Sequence, residues 1–453
     1  MSTGTEAHRP SPAAPRRAPD EVVAPGRAGA PAPARPPRPG SARPGSARPA
    51  PDAPSVARPA SAARPAPDAA ERAARGLGTA LRLLAVYALA RLVSTLLLAA
   101  THGLTATAAW AQHDGGPGFA GYLSSWDARF YAEISDRGYP TELPRDDEGR
   151  VVKNAWAFMP LFPALVRLVA PVVGGSWLVG ALVVATLAGA GATLVLHRLM
   201  LRRFGARASF WGAVSFTVSP MSFVLQVPYA ESLFLLLMFA ALLAMTARRW
   251  AWFAVFGVLA SVAHPGALAL SAALGLTWLV RLVRREREPV AEHVRIWAAG
   301  LVVTAAGFAW PVVVALVTGE RDGYFATESS WWRDYIGSDG FVPFTPWFRF
   351  GAAMGGGVGV VAAAALIGLV ALALVRRSGR LGLELQTYAI GYVAYLVAVF
   401  LPQQSSFRML LPLSPLLGDP QLSATRRRVV VTIVASVALQ AVAIVLLWTV
   451  WAP

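Results

Sequence analysis

The chain has no cysteine, which excludes disulfides, thiolate metal sites and cysteine nucleophiles. Charge is also scarce. Only 15% of the 453 residues are Asp, Glu, Lys or Arg, against 55% hydrophobic, and the mean hydropathy is +0.49. A soluble domain does not tolerate so apolar a surface, so lipid must cover much of it. Lysine is nearly missing: Lys153 is the only one, and Arg supplies the remaining cations. The six histidines are His8, His102, His113, His197, His264 and His293. They show neither HExxH nor paired spacing, so no metal site is expected, and no cofactor. The formal charge of +16 would point to nucleic acid in a soluble protein. Here the basic residues occupy a tail and short loops between apolar runs, which is the positive-inside pattern of a membrane protein, and nucleic acid is not an expected partner.

Residues 1–76 are dominated by Ala, Pro, Arg, Ser and Gly. A stretch so poor in large apolar side chains cannot bury a core, so it reads as a disordered cytoplasmic tail ahead of a polytopic domain over 77–453. The first apolar run starts near Thr79 and continues for about 20 residues, too late and too long for a signal peptide. Membrane spans are expected over 79–100, 177–196, 208–225, 232–247, 252–264, 266–283, 297–317, 352–375, 385–401, 409–417 and 429–451. These are drawn so that the Arg-rich connections at 198–207, 248–249, 281–295, 376–380 and 426–428 all lie on the cytoplasmic side with the tail. Eleven crossings place the C-terminus outside. The segments 252–264 and 409–417 are short for crossings. Residues 156–173 are apolar but must not cross, and Pro160, Pro163 and Pro171 suit a re-entrant or interfacial piece. Two extracytoplasmic loops are long, 101–155 and 318–351, and long loops in a compact membrane protein are where chemistry is sought.

In the first loop, Asp127, Phe130, Tyr131 and Ile134 share one face by their three-and-four spacing. That places a carboxylate beside apolar rings near the bilayer surface. Partial desolvation raises its proton affinity and fits it for general-base work; an N-cap or an ion pair with Arg129 or Arg137 is the structural alternative. Glu231 follows Pro228 at the outer start of an apolar span. It either faces a cavity, bonding sugar hydroxyls or pairing with an Arg, or is a helix N-terminal acid favoured by the dipole. Arg408, in the stretch Gln403-Gln404-Ser405-Ser406-Phe407-Arg408, is the only cation of an outer loop. That placement runs against the topological bias and favours a phosphate clamp over snorkelling to headgroups. The aromatic residues of the second loop, among them Tyr324, Trp331, Trp332 and Tyr335, read first as an interfacial belt. Gly355-Gly356-Gly357 lacks the context of a phosphate loop.

Three motifs occur in order: Trp126-Asp127 with Tyr131, Ile134 and Gly138-Tyr139; Ala157-Phe158-Met159-Pro160-Leu161-Phe162-Pro163; and Tyr229-Ala230-Glu231-Ser232-Leu233-Phe234. Together they resemble the PIG-V-like mannosyltransferase family, the second mannosyltransferase of GPI-anchor synthesis and its prokaryotic relatives. The likeness runs from about Leu81 onward. It implies an all-α integral membrane fold, a GT-C-like helical bundle of about 11 spans with a long first extracytoplasmic loop. It also implies a plasma-membrane enzyme that moves a hexose, with inversion, from a polyprenyl-phosphate sugar to a lipid or glycan acceptor on the outer face. The lipid-phosphate sugar would be a co-substrate, and membrane lipids the other partners. Asp127 becomes the catalytic base. Trp126, Arg129, Tyr131, Tyr229, Glu231, His264 and Arg408 become the substrate-binding set. His264, in the break His264-Pro265-Gly266, stands where the family pattern tends to carry an Arg. A transporter or lipid flippase is the alternative from another class, but the halves show no inverted repeat. A noncatalytic scaffold would leave Asp127, Glu231 and Arg408 unexplained as a group.

Overall fold

A computed structural model describes residues 69–112, 115–337 and 340–451. The expected tail, apart from its last residues, lies outside these, as do His8 and His113. The all-α class is what the described residues show: the sole β feature among them is an isolated bridge between Arg145 and Val151. The order opens with α1 (Ala69–Thr105), α2 (Gly118–Leu123), α3 (Asp127–Arg137), α4 (Leu161–Val169), α5 (Trp177–Leu201), α6 (Ala206–Thr217), α7 (Glu231–Thr246) and α8 (Trp250–Ser261). It continues with α9 (Leu268–Val283), α10 (Val290–Thr318), α11 (Gly323–Ser329), α12 (Arg333–Ile336), α13 (Pro346–Arg376), α14 (Ser378–Leu381), α15 (Leu383–Val399) and α16 (Arg426–Ile444).

The protein is a multi-pass membrane protein. By length and composition α1, α5, α10, α13 and the stretch Arg426–Val450 can each cross a bilayer, while α7, α8, α9 and α15 are apolar but shorter. Residues 409–417 lie inside a 3-10 helix, Gln404–Gly418, that contains Pro412 and Pro415, and 208–225 divides into α6 and a separate 3-10 turn, Ser222–Leu225. The expected irregular segment 156–173 is three short pieces, Ala155–Ala157, α4 and Ala170–Val173.

Burial separates the helices by role. The helix α7 is apolar all round and buried on nearly every side, as a central helix must be. By contrast α13 exposes Val358, Val361 and Leu369, an outward face suited to lipid. A break runs through α13 at the glycine triplet. Gly356 has φ +55, and a Cβ added to Gly351 would lie 2.5 Å from the carbonyl oxygen of Gly359. Only glycines permit both the left-handed residue and that close approach.

Arg91 is buried within α1, where a charge in lipid needs partners. It finds them in backbone carbonyls, donating from Nη2 to Thr217 at 2.6 Å and from Nη1 to Ser222. The carbonyl that ends α6 and the one that opens the 3-10 turn after it are thereby satisfied.

The Arg-rich loops gather at one end of the bundle. Arg203 donates to the Gly379 carbonyl (3.1 Å) and Arg207 to that of Ser423 (2.9 Å). Arg248 pairs with Glu288 at 2.6 Å and Arg281 with Glu384 at 2.8 Å. The same parity was required by the positive-inside reading of the loops. At the other end the two long loops are clamped together. Arg145 pairs with Glu320 (2.5 Å) and Arg333 with Asp146 (3.2 Å), while Asn154 Nδ2 donates to Thr327 Oγ1 (3.1 Å).

Candidate active site

The three sequence motifs converge beneath these loops. In α3 the buried residues are Ala128, Phe130, Tyr131, Ile134 and Ser135, so the expected apolar face forms. The second motif covers it: Phe158 stacks on Phe130 with ring centroids 4.8 Å apart, and Tyr131 meets Phe158 and Phe162 edge-on at 5.1 Å. Tyr131 is thus the wedge that joins the first two motifs, and it sits close enough to the polar centre to feel the charges of Glu231, Asp127 and Arg408. Ahead of α3, Trp126 has φ +62, a conformation that strains any residue with a side chain by about 1–3 kcal/mol. Its indole Nε1 donates to the Trp448 carbonyl at 2.9 Å, which ties the start of α3 to the C-terminal helix.

At the centre Arg408 bridges two carboxylates. Its Nη2 is 2.6 Å from Asp127 Oδ2 and its Nη1 is 2.8 Å from Glu231 Oε1. The side chains are only 9%, 14% and 6% exposed for Arg408, Asp127 and Glu231. Neither Arg129 nor Arg137 takes Asp127 as its ion-pair partner. Arg129 lies over the Phe130 ring (4.7 Å) and Arg137 pairs with Asp136 (3.5 Å). Tyr229 supports the bridge from below: its ring lies 5.2 Å from the Arg408 guanidinium, and its hydroxyl accepts from the Asp127 amide (3.3 Å) and donates to the Ser125 carbonyl (3.4 Å). Glu231 is both the first residue of α7 and an Arg partner, so two of its sequence readings hold together.

Burial pushes the Asp127 carboxyl above the ordinary carboxylate range; the Arg408 charge pulls it back, and Glu231 opposes that pull. Arg408 spends both terminal nitrogens on carboxylates. Its Nε is buried without a partner among the described residues, as are the hydroxyls of Ser232 and Ser405. Such unpaired buried donors are what an incoming anion would satisfy. His264 stands outside the bridge: Nδ1 donates to the Pro265 carbonyl at 2.7 Å and the ring packs on Phe234 at 5.0 Å. Its turn-building role is filled, and no phosphate ligand from it is needed to explain its place.

A cleft of about 160 Å³ opens onto Asp127. Trp126, Arg129, Lys153, Trp331, Gln404 and Ser405 line it with Asp127. Here the belt reading of the second loop is corrected. Trp331 packs 5.8 Å from Phe130 and 6.0 Å from Phe158, and Tyr335 donates to Gln404 (3.1 Å), so these rings cover the site instead of the bilayer rim. The sequence reading missed Lys153 and Glu328. Burial pushes the Glu328 carboxyl up to about 7, against a hydrogen bond from Tyr324, and the Asp127 charge adds to the rise. Lys153 had one signal, being the only Lys in the chain; Glu328 had none. Among the described residues no group of three or more His, Asp or Glu could hold a metal ion.

Residues 85–280 match the family described as Mannosyltransferase (PIG-V). The match begins in α1, takes in all three motifs and ends in α9, and it bears out the resemblance the motifs carry. The PIG-V match also agrees with the expected enzyme class, a mannosyltransferase, and does not favour the transporter alternative. No curated protein matches the chain. Solved structures similar to it include ArnT from Cupriavidus metallidurans bound to undecaprenyl phosphate, at 17% identity and TM-score 0.43, covering 79% of this chain and 64% of that one. The apo form of the same protein gives 16% identity, TM-score 0.41, and 77% and 61% coverage. The Archaeoglobus fulgidus oligosaccharyltransferase, in complex with Zn and sulfate, gives 14%, 0.40, and 79% and 52%. The chain spans less than two thirds of the length of each.

Proposed function

We propose that the chain is a membrane glycosyltransferase that moves a hexose, mannose in the simplest case, from a polyprenyl-phosphate sugar to a lipid-linked or cell-envelope acceptor on the extracytoplasmic face. The observation that carries this reading is the Arg408 bridge between two buried carboxylates, with one of them, Asp127, open to a cleft. Asp127 takes the proton of the acceptor hydroxyl as the oxygen attacks the anomeric carbon. The bond to phosphate breaks on the opposite face, so the configuration inverts and polyprenyl phosphate departs with the bonding pair. Charge developing on that phosphate is met by the free Nε of Arg408 and the Ser405 hydroxyl, donors already fixed in place. Tyr229 and Glu231 hold Arg408 and are positioning residues. Trp331, a flat apolar face beside Asp127, suits a sugar ring. Purified protein in liposomes, given radiolabelled polyprenyl-phosphate mannose and a membrane-extract acceptor pool, is expected to transfer label. No transfer from mannose, glucose or galactose donors, with lipid flipping observed instead, would sink the proposal.

A further inference from the structure

At the opposite end of α7 from Glu231 a second, larger cavity opens between α5, α7 and α8, a groove of about 740 Å³. The groove's first lining residue on α7, Ala240, comes nine residues after Glu231, about 14 Å along a helix, and no residue lines both the groove and the cleft at Asp127. Its shape follows from the sequence. Ala240, Ala244 and Ala247 recur at three-and-four spacing on one face of α7 and leave a trench where larger side chains would fill space. Trp252 and Phe256, one turn apart on α8, stack at 5.6 Å to make one wall. On the rim stand Arg198 and Arg202, also one turn apart, and Arg249. All three are exposed, and none has a carboxylate partner among the described residues. Their neighbours Arg248 and Arg281, by contrast, are paired with Glu288 and Glu384.

We infer that this groove binds an anionic glycerophospholipid of the leaflet at the Arg-rich end, with the phosphate among Arg198, Arg202 and Arg249 and an acyl chain along the alanine trench. Charge complementarity selects the occupant: three unpaired guanidiniums border an apolar trench at the membrane surface. Zwitterionic lipid offers the same chains without net charge, and a soluble anion does not use the trench. The site is independent of the transfer reaction.

The test is native mass spectrometry of the detergent-purified full chain with phosphatidylglycerol or phosphatidylcholine of identical chains. Wild type is expected to keep a phosphatidylglycerol adduct at roughly tenfold lower lipid than phosphatidylcholine requires. The triple variant Arg198→Gln/Arg202→Gln/Arg249→Gln should lose that preference. Arg376→Gln/Arg426→Gln/Arg427→Gln removes equal charge elsewhere at the same end and should retain it. Trp252→Ala should weaken both lipids alike. Equal adducts for the two lipids, an unchanged preference in the first triple variant, or a dimer whose formation excludes lipid would each overturn the assignment. Unchanged melting temperatures without added lipid establish that the variants are folded.

Discussion

Asp127→Asn separates the two jobs the Arg408 bridge could do. If the ion pair were only structural, removing one partner of a buried pair would cost about 3–5 kcal/mol, because the other charge is left uncompensated. Here it is not left so, since Glu231 stays 2.8 Å from Arg408. Burial also raises the Asp127 carboxyl, which means that the neutral form suits the fold better than the ionised one. The variant is therefore expected to melt at the wild-type temperature or slightly above it. Activity should go the other way. Loss of a general base removes about a hundred- to ten-thousandfold of rate, or about 3–5 kcal/mol of barrier. Thermal unfolding and donor-saturated transfer measured in the same detergent read both quantities. The pH profile adds a sign check. The base must be ionised, so transfer should fall as pH drops through a pKa above the ordinary carboxylate range. The share of stability linked to protonated Asp127 is present at low pH and lost as pH rises through that same pKa; the Asn variant should lack this slope. Near-normal transfer by Asp127→Asn, or a several-degree loss of melting temperature together with only a few-fold loss of rate, would refute the reasoning.

Other outcomes follow from single contacts. Arg408→Gln leaves Asp127 and Glu231 without their common cation, so transfer should drop with a raised donor KM, and the acid limb should move to higher pH. Glu328→Gln should flatten any change in melting temperature around pH 7. The wild-type stability linked to the protonated carboxyl is lost as pH rises through about 7, which the amide cannot reproduce. Arg91→Met strands the Thr217 and Ser222 carbonyls. It should destabilise by about 1–3 kcal/mol per carbonyl, with KM unchanged in the folded fraction. A reporter at the C-terminus should read as extracytoplasmic if eleven crossings are right, and a cytoplasmic signal would point first to the 3-10 helix Gln404–Gly418 as a non-crossing element.

Local pattern made part of the site legible. The α3 face came from spacing alone and set Asp127 beside apolar rings, while Glu231 and Arg408 stood out because each places a charge where the membrane topology disfavours one. Their union did not, since the partner of Asp127 lies near the far end of the chain and nearby Arg129 and Arg137 were the local choices. Sequence spacing ranks near pairs; burial and packing chose the distant one. The second loop is ambiguous for a related reason, because Trp331 at a membrane surface and Trp331 over the cleft at Asp127 have the same composition. Only contact with Phe130 and Phe158 tells them apart. In α13 the use of the glycine triplet as a helix break depends on φ angles that no composition carries.

The charge of the site leads to one more prediction. Arg408 with Asp127 and Glu231 carries a net charge of about −1 when both acids are ionised, and a phosphodiester donor also carries about −1, so the buried bridge alone repels its substrate. The cleft mouth shifts the balance. Arg129 and Lys153 line it against Asp334, and Lys153 is held 6.0 Å from the centre of the Trp331 ring. The Lys153 charge offsets part of that repulsion, which helps an anionic donor approach. A charge about 7 Å from the phosphate at an effective dielectric of about 40 is worth about 1 kcal/mol. Lys153→Ala should therefore raise donor KM about fivefold at low salt and leave kcat nearly unchanged. Lys153→Arg should restore most of the loss, and added salt should shrink the difference between wild type and the Ala variant. If the Ala variant lowers kcat with KM untouched, or if salt has no effect on the difference, Lys153 acts through packing on Trp331 and not through its charge.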